Sequence, residues 1–335
     1  MENMSTKEFI VITSIFQPTE AIYSYAAINP CQVIVVGDKK TPDGWNHDNV
    51  KYLPVKAQEG IGKYLHKLLP FNHYSRKMLG YLYSIERKAE FIVDTDDDNI
   101  PKKNWGFPSM EGSYSFIPDN QGFINIYQLY ADQKIWPRGL PLSLIGKQFD
   151  LEGIITTEQC KVGIWQGLVD EDPDVDAIYR LTMDKPCYFK ERDPIVLGRN
   201  TISPLNSQNT FITKELFPLL YLPAFVTFRF TDILRGLVAQ PIMWMYDYHV
   251  GFTNATVVQK RNYHSYYNDF LLEIPVYKYC EQVIGITTGA LNSTYNIADN
   301  LVNAYEALHK KSIVKKRELK VLEAWLKDVE DLGKG

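Results

Sequence analysis

Three short runs of β-branched and apolar residues narrow the folds open to this chain, because each stops abruptly in polar residues at its C-terminal end. Phe9-Ile10-Val11-Ile12-Thr13-Ser14-Ile15-Phe16 ends at Gln17-Pro18. Val33-Ile34-Val35-Val36 runs into Gly37-Asp38, and Phe91-Ile92-Val93 runs into Asp94-Thr95-Asp96-Asp97-Asp98. Such runs predict strands buried on both faces, as in a parallel sheet covered by crossover helices. Met78, Leu79, Leu82 and Ile85 recur at helical spacing ahead of the third run and supply one such crossover.

The acidic run therefore falls at the carboxyl end of a buried strand, where open α/β sheets bind their ligands. Four carboxylates within five residues repel one another, and leaving them there is costly unless a cation offsets them. Mg²⁺ or Mn²⁺ is the natural partner: it takes hard oxygen ligands from one or two carboxylates and fills its shell with substrate phosphate oxygens. A solvated acidic turn is the simpler alternative. No glycine-rich phosphate loop occurs in the sequence, which argues against a Walker-type hydrolase or a nicotinamide enzyme.

Length and charge set the outer limits. A chain of 335 residues can bury a sizeable core. A net charge of −4 gives no general attraction to nucleic acid or membranes, so such binding would need a local basic patch. The basic cluster Lys310-Lys311 with Lys315-Lys316-Arg317 is followed by Glu318, Glu323, Asp328, Glu330 and Asp331, and reads as the solvated face of a charged helix. Cys31, Cys160, Cys187 and Cys280 lie far apart, with neither a CxxC pair nor zinc spacing. No stretch approaches the roughly 18 apolar residues of a spanning helix. A reducing, cytoplasmic setting is expected.

Between Asn99 and Arg199 the pattern is irregular and predicts short strands and long loops forming an acceptor side. From Tyr295 to Leu332 apolar residues return at helical spacing. The expected division is a catalytic domain over 1–285 and a helical extension over 286–335.

Several ordered blocks resemble known families. The strand end at Asp94–Asp98 resembles the DxD motif of the GT-A nucleotide-sugar glycosyltransferases. Thr41-Pro42-Asp43-Gly44-Trp45, Leu69-Pro70-Phe71-Asn72-His73-Tyr74-Ser75-Arg76-Lys77 and Trp136-Pro137-Arg138-Gly139-Leu140-Pro141-Leu142 resemble the STELLO family of plant Golgi glycosyltransferase-like proteins. Gly167-Leu168, Pro173-Asp174-Val175-Asp176, Asn206-Ser207, Asn209-Thr210 and Asp232-Ile233-Leu234-Arg235-Gly236 continue the series in the same order. The block at Arg138 is also similar to one in the reversibly glycosylated polypeptides, which are UDP-arabinopyranose mutases.

The resemblance implies an α/β, GT-A-like fold: a mixed, mainly parallel sheet flanked by helices, with a helical C-terminal extension. It also implies a nucleotide-sugar donor, most simply UDP-linked. Thr13, Ser14 and Asp38 would then contact base and ribose, and Arg76 the nucleotide or its phosphates. Asp94, Asp96 and Asn209 would belong to the donor site, Asp96 and Asp98 would hold the metal, and His249 or His264 could supply a late metal-binding histidine.

Arg138, between a proline and a glycine, has the guanidinium geometry to hold a departing diphosphate. The mutase resemblance suggests instead that it becomes sugar-modified. Asp232 matches the carboxylate that inverting enzymes use as a base, at the start of an amphipathic helix that it could also cap. Tyr263, Tyr266 and Tyr267 could stack on sugar rings. The acceptor stays open among a glycan, a lipid-linked sugar, a protein and a modified nucleic-acid base. A mutase, or a non-catalytic sugar-nucleotide-binding scaffold, are the alternatives to a transferase.

Overall fold

The computed structural model of the protein describes residues 7–261 and 265–333. Within them, ten strands form one mixed sheet in the order β3-β2-β1-β4-β11-β8-β6-β9-β12-β5. Its first part is the parallel unit expected from the apolar runs: β1 (Glu8–Thr13), β2 (Gln32–Val36), β3 (Val50–Leu53) and β4 (Phe91–Thr95). The crossovers are α1 (Glu20–Ala26) between β1 and β2, and α2 (Val55–Gln58) with α3 (Lys77–Glu86) between β3 and β4. Their side chains bury Ile10, Val11, Ile34, Val36, Met78, Leu79 and Leu82 almost completely.

The second part mixes directions. It holds β5 (Asn99–Pro101), β6 (Glu111–Ile117), β8 (Thr156–Asp170), β9 (Ile195–Leu197), β11 (Asn209–Thr213) and β12 (His249–Gln259), while β7 (Gly122–Phe123) and β10 (Thr201–Ile202) pair separately. β11 runs antiparallel to both β4 and β8, and β12 parallel to β8. The stretch expected to be short strands and loops thus contains a strand of 15 residues, β8. Gly163, Gln166 and Gly167 interrupt its apolar pattern, which hid it. Packing requires those glycines, since a Cβ at Gly163 would meet Leu216 Cδ1 at 2.3 Å and one at Gly167 would meet Asn209 Nδ2 at 2.2 Å.

Helices α4 (Ala177–Thr182), α5 (Thr231–Trp244), α6 (Tyr266–Ala290), α7 (Ile297–Lys310) and α8 (Lys316–Gly333) complete the fold. The helix expected to be amphipathic, α5, is buried on every side. Among the described residues no helix is long and apolar enough to cross a membrane. The boundary expected at 285/286 falls inside α6. Val276, Cys280, Leu301, Leu308 and Trp325 share one hydrophobic cluster with Tyr81, Leu82 and Ile233, so the C-terminal helices pack as part of the sheet's own core.

Two buried carboxylates fasten α8. Asp328 accepts backbone N–H groups from Lys63 at 2.6 Å, Tyr64 at 3.2 Å and Leu65 at 2.8 Å. Glu318 accepts those of Ala224 and Phe225, each at 2.8 Å. Charge-assisted bonds to a buried carboxylate contribute about 1.5–3 kcal/mol each, and unsatisfied buried donors are costly. Asp328→Ala is therefore expected to lose about 3 kcal/mol or more of stability. A urea midpoint within a few tenths molar of wild type would contradict that.

Candidate functional site

A cavity of about 340 Å³ opens at the carboxyl ends of β1, β2 and β4. Adjacent parallel strands end side by side there, so residues distant in sequence converge. The strand termini bring Thr13, Ser14 and Asp38; the turn before α3 brings Arg76; the turn after β4 brings Asp96, Asp97 and Asp98. The opposite wall holds Arg138, Asp174, Arg229 and Asp232, with Gln208, Gln259 and Arg261 alongside.

The acidic run divides its labour. Asp94, on β4 itself, points away from the cavity into the core, where Lys77 Nζ lies 2.6 Å from one oxygen and Arg235 donates to the other at 2.6 Å. Asp94 is absent from the cavity lining, and its two oxygens are held by two buried cations beneath it. Burial works against the Lys77 ammonium, yet Asp94 and Asp96 outweigh it and hold its pKa above the ordinary value. Asp96 accepts from Tyr74 Oη at 2.7 Å and from Lys77 Nζ at 3.1 Å.

Asp97 accepts from Ser14 Oγ at 2.5 Å, and Asp98 accepts from Gln259 Nε2 at 3.0 Å through Oδ2. Asp98 Oδ1 is buried and has no partner. Burial, with the charge of Asp96 next, pushes the Asp98 carboxyl up to about 7; burial, against the Ser14 hydrogen bond, pushes Asp97 up to about 6. An orphaned hard oxygen in a crowded acidic turn fits a divalent cation. Asp98, with Asp96, would hold it.

Asn209 does not reach the cavity: its amide donates to Thr256 Oγ1 at 3.0 Å and accepts from Trp105 Nε1 at 3.3 Å inside the sheet. His249 is also elsewhere, bonded to the Leu197 carbonyl and packed edge-on against Phe116. His264 and Tyr263 lie outside the described residues. Tyr266 hydrogen-bonds Asp184, and Tyr267 is solvent-exposed.

Arg76 stacks on Phe71, with its guanidinium 4.5 Å from the ring centroid, and donates to Gln58 Oε1. Its NH1 is buried without a partner in the cavity wall. Nearby, Asp38 Oδ2 accepts from the His73 backbone at 3.2 Å.

The expectation for Arg138 requires correction. Its Nε and one NH2 proton go to Asp174 at 2.8 Å each, NH2 also donates to Asp232 Oδ2 at 2.8 Å, and NH1 donates to Asp232 Oδ1 at 3.1 Å and to the Arg229 carbonyl. All five N–H groups of the guanidinium are occupied, so none remains for a phosphate or an attached sugar. Gly139 makes this placement possible: its φ of +97° turns the chain sharply, and a Cβ there would meet Ile233 Cγ2 at 2.9 Å.

Asp232 sits in the first turn of α5, yet spends its carboxylate on Arg138 instead of capping the helix, whose N-cap is Phe230. Burial raises its pKa, but Arg138 outweighs burial and holds the carboxyl below its usual range. Each oxygen keeps a lone pair for a ligand. Asp174, Lys77, Gln208 and Gln259 were given no role by sequence reasoning. Lys77 and Asp174 stood inside the family-like blocks without a role of their own, and Gln208 and Gln259 carried no signal.

Comparison with known proteins shows what this chain is similar to. Residues 229–334 match the family model of the STELLO glycosyltransferases. Two proteins of Arabidopsis thaliana are similar over longer stretches. One, named a probable glycosyltransferase STELLO1, is 27% identical across 99% of this chain and 45% of its own length. The other, named a probable glycosyltransferase STELLO2, is 30% identical across 75% of this chain and 35% of its own length. The chain thus spans less than half the length of these relatives, and it is STELLO-like.

Proposed function

We propose that this STELLO-like chain is a glycosyltransferase that moves a sugar from a nucleotide diphosphate, UDP being the favoured nucleotide, to an acceptor hydroxyl with inversion. The observation that carries the reading is the pairing, across one cavity, of an acidic turn holding an unpartnered carboxylate oxygen with a separate carboxylate clamped by arginine. The acidic turn suits a metal-bound diphosphate; the clamped Asp232 suits an acceptor.

Thr13, Ser14, Asp38 and Arg76 form the wall for base and ribose. Asp96 and Asp98 would hold Mn²⁺ or Mg²⁺, which when bound offsets the charge of the departing diphosphate. Asp232 accepts the acceptor's proton while the acceptor oxygen bonds to the anomeric carbon and the bond to the diphosphate breaks. Arg138 keeps that carboxylate ionised and aimed, so its role is positioning. Among the alternatives, a mutase working through a sugar-modified Arg138 loses its support, because that guanidinium is buried and fully bonded.

Calorimetry with UDP tests the donor half. Affinity is expected to fall tenfold or more when Mn²⁺ is replaced by EDTA, and as far in Asp98→Asn with Mn²⁺ present. UDP binding equally well in all three conditions would remove the metal from the scheme.

A further inference from the structure

We infer that Arg229 and Arg261 together grip the terminal phosphate of the donor's diphosphate; this rests on the nucleotide-sugar reading of the cavity. Arg138 is committed to two carboxylates and has no N–H left for a phosphate. Arg229 and Arg261 line the same cavity with N–H groups to spare. Neither is sealed off, since their side chains are 13% and 12% exposed.

Arg229 sits in the turn Phe228–Phe230 ahead of α5. Its Nε and NH2 both bond Oε1 of Glu273, at 2.8 and 2.7 Å. Glu273 spends its other oxygen on the Ala177 backbone N–H at 2.7 Å and on Tyr277 Oη at 2.6 Å. The guanidinium is thereby fixed in its plane by one edge. Its NH1 is not closed off from solvent and finds no acceptor among the described residues.

Arg261 is less well partnered still. Its NH2 donates to Asp269 at 3.0 Å, while its NH1 lies 3.9 Å from Asp172, beyond hydrogen-bond reach. Burial, and after it the like charges of Arg229 and Arg180, hold its pKa below the ordinary arginine value in spite of both acids. Two guanidiniums that repel each other inside a cavity are relieved by an anion placed between them.

Their positions say which anion. Lys260, next to Arg261, donates its backbone N–H to the Asp98 carbonyl at 3.1 Å, so Arg261 leaves β12 beside the acidic turn. Phe228, next to Arg229, packs edge-on against Tyr74 with ring centroids 5.8 Å apart, and Tyr74 Oη bonds Asp96. The pair therefore flanks the turn proposed to carry the metal-bound diphosphate, on the wall that also holds Asp232. That is the sugar-bearing end of the donor. When the bond from the anomeric carbon to the terminal phosphate breaks, its electron pair stays on the phosphate oxygen and the acceptor oxygen takes its place at carbon. The guanidiniums meet that added charge with N–H bonds and move no proton.

The test measures UDP and UMP affinity by calorimetry with Mn²⁺ in wild type, Arg261→Gln and Arg229→Gln. UDP is expected to bind about tenfold more weakly to each variant, the scale of a lost charge-assisted bond, while UMP stays within twofold of wild type. Arg229→Gln strips Glu273 of its cation; should it not fold, Arg229→Gln/Glu273→Gln, which removes both charges, takes its place with the same expectation. UDP affinity kept in the variants would overturn the inference and leave the pair to an anionic acceptor. Equal weakening of UDP and UMP would also overturn it, as a general loss of the site. A wild type that binds no UDP with Mn²⁺ sinks the donor reading itself and this inference with it, whereas the other two outcomes sink this inference alone.

Discussion

Asp232→Asn is expected to transfer sugar about a hundredfold or more slowly than wild type while binding UDP unchanged. That is the usual scale for removing a positioned base, and the donor wall contains no part of Asp232. The substitution also alters the clamp. An asparagine can accept from Arg138 through its oxygen, but its nitrogen then faces an NH2 that previously donated to Asp232 Oδ2 at 2.8 Å. A stability loss of about 1–3 kcal/mol should accompany the change.

Urea unfolding beside the rate assay separates the two effects, and assays run well below the unfolding midpoint isolate the chemistry. Near-normal transfer by a folded Asp232→Asn protein would remove the base. A product whose anomeric configuration, read from NMR couplings, matches the donor's would keep the fold and reject inversion.

Arg138→Met should damage the protein more than any change on the cavity's rim. The guanidinium stands between two carboxylates, Asp174 and Asp232, and removing one partner of a buried ion pair costs about 3–5 kcal/mol. The pH dependence follows from which groups are left. In wild type the Asp232 pKa is depressed, so its share of stability is present above the unfolded value and fades as pH falls through the folded one.

Without Arg138, burial is the largest influence left on Asp232, opposed by the more distant Arg235 and Arg229, and its pKa moves up. The folded variant then binds that proton more readily than folded wild type, and its deficit against wild type should shrink as pH drops from 7 to 5. Denaturant titrations at both pH values check this, with Arg138→Met/Asp174→Asn/Asp232→Asn expected to recover part of the loss at pH 7. A deficit that is equal at both pH values would mean that the carboxylates are not what Arg138 supports.

How much of this could be read from the sequence depended on range. β1, β2 and β4 are β-branched runs whose signal is local, and their shared polar ends located the cavity before any packing was known. The long strand β8 was hidden because glycines needed for close approach break its pattern.

Asp94 and Asp96 look alike in sequence and both meet Lys77, yet Asp94 lies within β4, under the helices, while Asp96 follows the last residue of the strand and reaches the cavity. Arg138 lines the cavity, but its bonds to Asp174 and Asp232 had no local sign. Its partners are 36 and 94 residues away, and no local feature announces that both of them are acids spending their charge on it. Gln259 was invisible for the same reason, since the Asp98 carboxylate to which it donates lies 161 residues away.

The hydrogen bonds from Asp328 to the backbone at 63–65 span 263 to 265 residues, and they impose an order in time. On a ribosome adding about 5–20 residues per second, the loop at 63–65 waits roughly 15–50 seconds for its partner to be made. The segment at 224–225 waits for Glu318 in the same way, more briefly. Until then the backbone N–H groups at 63–65 and 224–225 lack these carboxylate acceptors. Ribosomes stalled on messages truncated before codon 318 would display that half-assembled species, open to proteases at 63–65 and at 224–225 and closed to them once α8 has emerged.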